Sequence, residues 1–317
     1  MDVIRHIASH PRRFAGPVLT LGNFDGVHRG HQAILGRVAS EARRLGGEAV
    51  ALTFTPHPVA VLRPDRAPPM LTSLRHRIGL IADTGIEVLL LQRFTPAFAQ
   101  LSPEAFVERF VVARMGARKV VVGHRVSFGH ERLGDSAVLA VMGERLGFAV
   151  EVIGPVGADG HEVSSSACRR AIAAGEMRLA DTLLGRPHRL GGRVVRGQGR
   201  GANIGFPTAN LRVREGMYPP DGVYAVFADT GYGLCDGIAN IGRAPTFGDG
   251  TPRTLEVHLF DFDGDLYGRR CDVWFVERLR GEIRFPSAEA LVAQIRSDAT
   301  GARSLLARHR ATRDRLS

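Results

Sequence analysis

The chain is expected to fold as an α/β front half followed by a β-rich half that ends in a helix. Three observations point there. Short apolar runs alternate with helical stretches as far as Leu184. After Leu184-Gly185-Arg186-Pro187 the pattern changes to short β-rich runs broken by glycine. Helical spacing returns only from Ser287 onward. A length of 317 residues suits about two domains, and the change of pattern divides them as 1–184 and 188–317.

In the front half the strand candidates are Val18–Leu21, Ala49–Phe54, Glu87–Leu91, Lys119–Val122 and Ala149–Ile153. Their alternation with helices implies a parallel sheet covered on both faces, with ligands beyond the carboxyl ends of the strands. Ile34, Leu35, Val38, Ala42 and Leu45 mark the first helix, and Gly46-Gly47 ends it. Ser102-Pro103 caps a second helix that continues through Phe106, Val107, Phe110 and Val111. In the back half the runs Gly192–Val195, Gly222–Ala228, Cys235–Ile241, Thr254–Phe262 and Cys271–Arg278 suggest a sandwich or barrel. Asp263-Gly264 reads as a hairpin turn. Ser287 caps a closing helix through Ala290, Leu291 and Ile295, and Leu305-Leu306 mark another turn or two.

Composition excludes some classes. The hydrophobic fraction of 44% is ordinary for a globular protein. No apolar run is long enough to cross a bilayer, and Met1–Pro17 lacks the apolar core of a signal peptide. Cys168, Cys235 and Cys271 are isolated, which suits a reducing cytoplasm and gives no metal-ligand spacing. The net charge is +10 and Lys119 is the one lysine. The arginines are dispersed except in the tail Arg303–Arg315, with no aromatic-interleaved basic motif. Anionic small molecules are therefore the expected partners, rather than nucleic acid or a membrane; homo-oligomerisation stays open.

Two stretches carry chemistry. Leu19-Thr-Leu-Gly-Asn-Phe-Asp-Gly-Val-His-Arg-Gly-His-Gln32 takes a strand through a glycine-rich turn into a helix. Unpaired N–H groups at that helix start attract phosphate, and glycines let the backbone approach it. A bare Rossmann turn with two exposed histidines is the plain alternative. The pattern His-x-Gly-His after a first strand resembles the nucleotidylyltransferase superfamily, which transfers a nucleoside monophosphate by positioning and charge stabilisation. The resemblance implies that Gly22, Phe24, Asp25, Gly26, His28 and His31 line an ATP pocket, with the histidines catalytic. Val163-Ser-Ser-Ser-Ala-Cys-Arg169 matches the superfamily's second nucleotide motif, adding Ser164, Ser165, Ser166 and Arg169.

The second stretch is Gly201-Ala-Asn-Ile-Gly-Phe-Pro-Thr-Ala-Asn210, preceded by Arg196-Gly-Gln-Gly-Arg-Gly201. Thr208 and Asn210 offer neutral oxygens on one side of an extended segment, a habit of Mg²⁺ sites that also hold phosphate. With Gly222-Val-Tyr, Asn240-Ile-Gly and Leu255-Glu-Val-His258, the stretch resembles riboflavin kinase. Preceded by the His-x-Gly-His half, it resembles the bacterial bifunctional riboflavin kinase/FAD synthetases over nearly the entire chain.

That resemblance implies a Rossmann-like nucleotidylyltransferase domain and an antiparallel β-barrel kinase domain with a terminal helix. It implies riboflavin, FMN and ATP as substrates, FMN and FAD as products, and Mg²⁺ in both steps. Thr208 and Asn210 would hold Mg²⁺ and the ATP phosphates; Gly197, Gly199, Arg200 and Gly201 would border the nucleotide. Glu256 would be the general base, although on its residues alone a solvent-facing strand position is equally good. His57, in Pro56-His57-Pro58, Arg125 and Arg280 would approach a flavin. Gly123-His-Arg-Val-Ser-Phe-Gly129 departs from the family's Gly-x-Asn/Asp-Phe-x-Phe-Gly at Arg125 and Val126. A second reading follows from that departure: a riboflavin kinase whose front domain is weak or uses another acceptor.

Overall fold

The computed structural model describes residues 1–5, 12–197, 199, 201, 204–243 and 253–314. Arg200 lies outside the described residues. The chain forms two compact units, one from Met1–Pro69 with Ser73–Ser165 and one from Met70–Thr72 with Ser166–Ser317.

In the first unit six strands make one sheet: β1 (Asp2–Arg5), β2 (Val18–Leu21), β3 (Ala49–Thr55), β4 (Val88–Arg93), β5 (Lys119–Gly123) and β6 (Ala149–Ile153). All pairings are parallel, in the order β1-β4-β3-β2-β5-β6. Both faces are covered, because successive residues of each strand enter different cores. Leu19, Leu21, Val120 and Val122 pack with Phe106 and Phe110, while Val18, Ala51 and Val121 pack with Leu35, Val38 and Ile81. This is why the strands read as continuous apolar runs. From β2 the chain crosses through helix Arg29–Leu45 to β3 on one side, and β5 lies on the other. The carboxyl end of β2 is thus a topological switch point, where such sheets hold ligands.

The predicted helix at Ser102 forms, with the Ser102 hydroxyl accepting from the Ala105 N–H at 3.1 Å. It opens into π-helical turns over Val107–Arg114. Edge strand β1 and the small hairpin β7 (Gly157–Ala158)–β8 (His161–Glu162) carry too few residues to show a period and are absent from the predicted elements.

The second unit is a closed antiparallel barrel. Its strands are β9 (His188–Val195), β10 (Ala209–Val213), β11 (Gly222–Asp229), β12 (Leu234–Arg243), β13 (Arg253–Leu259) and β14 (Arg270–Arg280), in the order β10-β13-β12-β11-β14-β9. Leu211, Tyr224, Val226, Ile241, Leu255, Val257 and Phe275 alternate into the interior and are buried. On one stretch of the outer face Val223, Ala225, Phe227, Ile238 and Val276 pack under Ala302 and Leu306. Those two residues belong to a single closing helix, Ala288–Asp314, longer than its sequence signals suggest. Asp263-Gly264 is not a hairpin turn. It lies in the longer connection from β13 to β14, and these strands are not neighbours in the barrel. The Gly268 N–H donates instead to the Val194 carbonyl at 3.0 Å, tying that connection to β9.

Candidate active sites

The first site starts where β2 ends. Phe24 and Val27 have φ of 47° and 38°, left-handed values that side chains rarely adopt, and Gly26 between them has 84°. The surroundings hold this turn. Phe24 and Val27 are buried. The Asn23 carbonyl accepts from the Thr53 hydroxyl at 3.2 Å and from Arg77 Nη1 at 2.9 Å. Arg77 Nη2 also donates to the Phe54 carbonyl at 3.3 Å. Arg77 is a buried guanidinium that fastens the turn to the end of β3. One arginine on a short helix carries no sequence signature of this role.

His31 rides on the helix and His28 stands just before it. The helix begins at Arg29, and His28 is its cap: Nδ1 accepts from the His31 N–H at 3.3 Å. That bond places a lone pair on Nδ1, so neutral His28 presents Nε2–H. The two rings stack at 3.6 Å, 19° apart, with Phe24 edge-on to His31 at 5.3 Å. Gly30 permits the stack, because a Cβ there would lie 3.2 Å from His28 Nδ1. His31 is held well below the usual histidine pKa by burial first, then by His28 and the Arg77 charge. Its Nδ1 is buried and bonds to no described residue. The site therefore offers neutral imidazole edges and the open N–H groups of a helix start.

Ser165 brings the second nucleotide motif to this turn, its hydroxyl donating to the Asp25 carbonyl at 3.0 Å. Ser164 precedes it. Ser166 and Arg169 follow on helix Ser165–Ala174 but belong to the second compact unit. Beyond β5, Arg125 is exposed and pairs with Glu162 at 2.7 Å, with His124 3.6 Å from the same carboxylate. His57 caps helix Pro58–Leu62 by accepting from the Val59 N–H at 3.2 Å. At the ends of β3 and β4 stand Phe54, Phe94 and Phe98, with ring centroids 5.6 to 5.8 Å apart. In the sequence these phenylalanines look like ordinary core.

The second site lies on the outer face of the barrel. Gly197 and Gly201 are required for close approach. A Cβ at Gly197 would collide with the Asn210 amide, and one at Gly201 with the Phe206 carbonyl, while also touching Thr208 at 3.4 Å. Gly199 takes the left-handed φ of 69°. The glycine loop is thus folded onto Thr208 and Asn210. In the barrel register Asn210 stands opposite Glu256, and Glu256 opposite Asn240. The three share the outer face because Leu255 and Val257 are buried inside. Among the described residues none bonds or ion-pairs with the Glu256 carboxylate, although the chain has 42 basic Lys and Arg residues. His258 donates from Nδ1 to the Pro207 carbonyl at 2.9 Å, fixing the segment before Thr208. Glu282 leans over Gly242, where a Cβ would lie 2.5 Å from its Oε1 and 3.5 Å from Asn240 Nδ2. His258 closes one of the quoted motifs, but neither its bond to Pro207 nor the reach of Glu282 over Gly242 has a signal in the sequence.

Arg280 turns inward to the closing helix. It grips Asp298 with Nε at 2.9 and 3.2 Å and Nη2 at 2.8 Å. That helix walls an open groove of about 420 Å³ between Ile204 and the side chains of Ala288, Glu289, Val292, Ala293 and Arg296. Its floor is mainly apolar, and Ile204 connects it to the glycine loop.

Two family models match the chain: FAD synthetase over residues 10–167 and riboflavin kinase over residues 184–306. A Pseudomonas fluorescens protein described as bifunctional riboflavin kinase/FMN adenylyltransferase is 42% identical, covering 97% of this chain and 98% of its own. Relatives of the same description from Escherichia coli K12 and Bacillus subtilis 168 are 39% and 35% identical, with 95% and 90% of each chain covered. A solved structure from Streptococcus pneumoniae, described as a macrolide-efflux protein, has a TM-score of 0.86 at 30% identity, covering 96% of this chain and 99% of that one. The efflux description stays with that protein; among the described residues here no helix is long and apolar enough to cross a membrane. Two family models in the same order and full-length relatives agree: the chain belongs to the bifunctional riboflavin kinase/FMN adenylyltransferase family.

Proposed function

We propose that the two cradles divide the family's two reactions, with residues 188–317 phosphorylating riboflavin and residues 1–184 adenylylating the FMN so formed. The enzyme uses ATP in both steps and makes FMN and FAD. The observation that carries the kinase assignment is the placement of Glu256 beside Asn210, against a glycine loop. Glu256 accepts the proton of the ribityl 5′-hydroxyl as the new O–P bond forms to the γ-phosphorus and the β–γ bridging bond breaks, releasing ADP. Gly197, Gly199 and Gly201 border the triphosphate. The Thr208 hydroxyl, the Asn210 amide oxygen and nearby carboxylates are hard oxygen donors at a point where glycines clear space, and they fit Mg²⁺. Bound there with ATP, Mg²⁺ supplies charge neutralisation on the phosphate oxygens. The groove beside Ile204 takes the flavin ring, and Arg280 sets its far wall through the closing helix.

In the front site an FMN phosphate oxygen bonds to the α-phosphorus of ATP while the α–β bridging bond breaks and pyrophosphate leaves. His28 Nε2–H and the helix-start N–H groups stabilise the charge on the phosphates. His31, kept neutral, braces His28 and offers its own ring edge. Gly22, Phe24, Asp25, Gly26, Ser164 and Ser165 complete the nucleotide pocket. The aromatic cluster Phe54–Phe94–Phe98, with His57, suits the flavin ring, and Arg125 the FMN phosphate. The absence of paired or metal-spaced cysteines fits a cytoplasmic setting.

Chromatography of products from riboflavin, ATP and Mg²⁺ tests both assignments. Glu256→Gln should abolish FMN formation yet convert added FMN to FAD. His28→Ala with His31→Ala should do the reverse, leaving FMN to accumulate. Normal kinase turnover in Glu256→Gln removes that residue as the base, and loss of both activities in either folded variant refutes independent sites.

A further inference from the structure

We propose that Arg77 is a positioning residue of the front site, whose planar fork holds the nucleotide turn and the flavin-facing end of β3 at the separation that transfer needs. The proposal rests on the reading of that site as the adenylyl-transfer site, with the Phe54 cluster as its flavin wall. Arg77 is 3% exposed and lies on helix Leu74–Ala82. Its Nη1 donates to the Asn23 carbonyl at 2.9 Å and its Nη2 to the Phe54 carbonyl at 3.3 Å. Those carbonyls belong to the segments that carry the two halves of the site. Asn23 precedes Phe24, whose ring stands edge-on to His31, itself stacked on His28. Phe54 packs with Phe94 and Phe98 in the aromatic cluster. One guanidinium thus bonds to the nucleotide side and to the flavin side of the reaction.

The need for such a link follows from where the sheet stops. The Gly22 N–H still donates to the Leu52 carbonyl at 3.0 Å, continuing the β2–β3 ladder. Past Asn23 the chain turns away, with left-handed φ values at Phe24, Gly26 and Val27. There the Thr53 hydroxyl and Arg77 replace the ladder, both donating to the Asn23 carbonyl. Of the two, Arg77 also grips the Phe54 carbonyl. A neutral side chain could pin the turn without the cost of burying a charge. Two carbonyls on separate segments, held at one spacing, call for the rigid donor fork of arginine. Transfer is sensitive to that spacing: reacting atoms must lie about 3–3.5 Å apart, and a misplacement of about 1 Å from a distant change can cost about 10²-fold. Arg77 is buried, so it acts on alignment rather than by holding either substrate.

The test uses the full-length enzyme with FMN, ATP and Mg²⁺ and no riboflavin, so that FAD formation alone is read. Arg77→Lys keeps the charge, which also bears on His31, but loses the fork. Arg77→Gln keeps an amide donor and loses both. Each should lower kcat about 10²-fold, with KM for ATP and for FMN unchanged. Full kcat in Arg77→Lys would mean that the charge matters and not the fork, and overturns the proposal. So does a loss carried mainly by KM, which would make Arg77 part of one substrate's pocket. Thermal melts set each assay below the variant's transition. A lowered melting temperature with kcat per folded molecule intact, or no fold at all in both variants, makes Arg77 a structural residue and overturns the proposal as well. The double variant His28→Ala with His31→Ala separates the two levels. If it makes FAD at the normal rate, the site reading and Arg77 fall together; if it is inactive while the Arg77 variants keep full kcat, Arg77 falls alone.

Discussion

Replacing Asp298 by alanine should unfasten the closing helix from the barrel, and the structure sets the size of the effect. Side chains of Arg280 and Asp298 are 16% and 6% exposed, and Gln294 Nε2 adds a third donor to the same carboxylate at 2.8 Å. Removing one member of such a pair leaves the other charge buried and costs about 3–5 kcal/mol. For a unit of this size each kcal/mol lowers the melting temperature by about 2–4 °C, so the kinase unit should melt about 6–20 °C lower. Calorimetry of the whole chain, following the transition that riboflavin and ATP shift, reads this directly. The double variant Arg280→Met with Asp298→Leu should recover most of the loss, because an apolar pair of similar volume replaces a buried ion pair at little cost. Its riboflavin KM then decides what Arg280 does. A normal KM means Arg280 acts only by holding the helix that walls the groove; a raised KM with stability recovered means it touches the flavin. A shift below about 2 °C for Asp298→Ala, or a double variant no more stable than the single, refutes the reasoning.

Gly201→Ala forces a Cβ against the Phe206 carbonyl, a strain of about 1–3 kcal/mol; KM for ATP in the kinase step should rise about 5- to 150-fold, with FAD formation from FMN intact, and an unchanged KM would show that the loop does not meet the nucleotide. His31 makes the first unit acid-sensitive. Its folded pKa lies well below 6.5, so beneath that pH the unfolded chain binds a proton the folded one refuses. Stability therefore falls as pH drops below about 6.5, by at most ~1.4 kcal/mol per pH unit for this one group, and is flat above it. Denaturant titrations of wild type and His31→Gln should differ in slope in that acid window; identical slopes would mean the ring is charged in the fold.

Much of the molecule is legible before any coordinates. The apolar runs, the stop at Gly46-Gly47, the Ser102 cap and the change of pattern after Leu184 are local signals, and they give the parallel sheet and the β half. The two short motifs are local as well. Gly30 between two histidines, and Gly197 and Gly201 before Thr208, stand where a Cβ would crowd a neighbour, so residue type alone marks the close approaches.

What the sequence could not settle depends on which distant segments meet. Asp263-Gly264 has the letters of a hairpin, but barrel closure pairs β13 with β10 and β12, and a dipeptide cannot report that. Arg280 is one arginine among many until Asp298 arrives from the closing helix. Arg77 gains its meaning from the carbonyls of Asn23 and Phe54, which reach it through sheet order. Glu256 had two equal readings because strand alternation says only that it faces outward; the register across β10, β13 and β12 puts an amide on each side of it. Local geometry is written in neighbouring residues, whereas register and charge pairing are set by the packing of the whole chain, and the surroundings of Glu256 belong to the second kind.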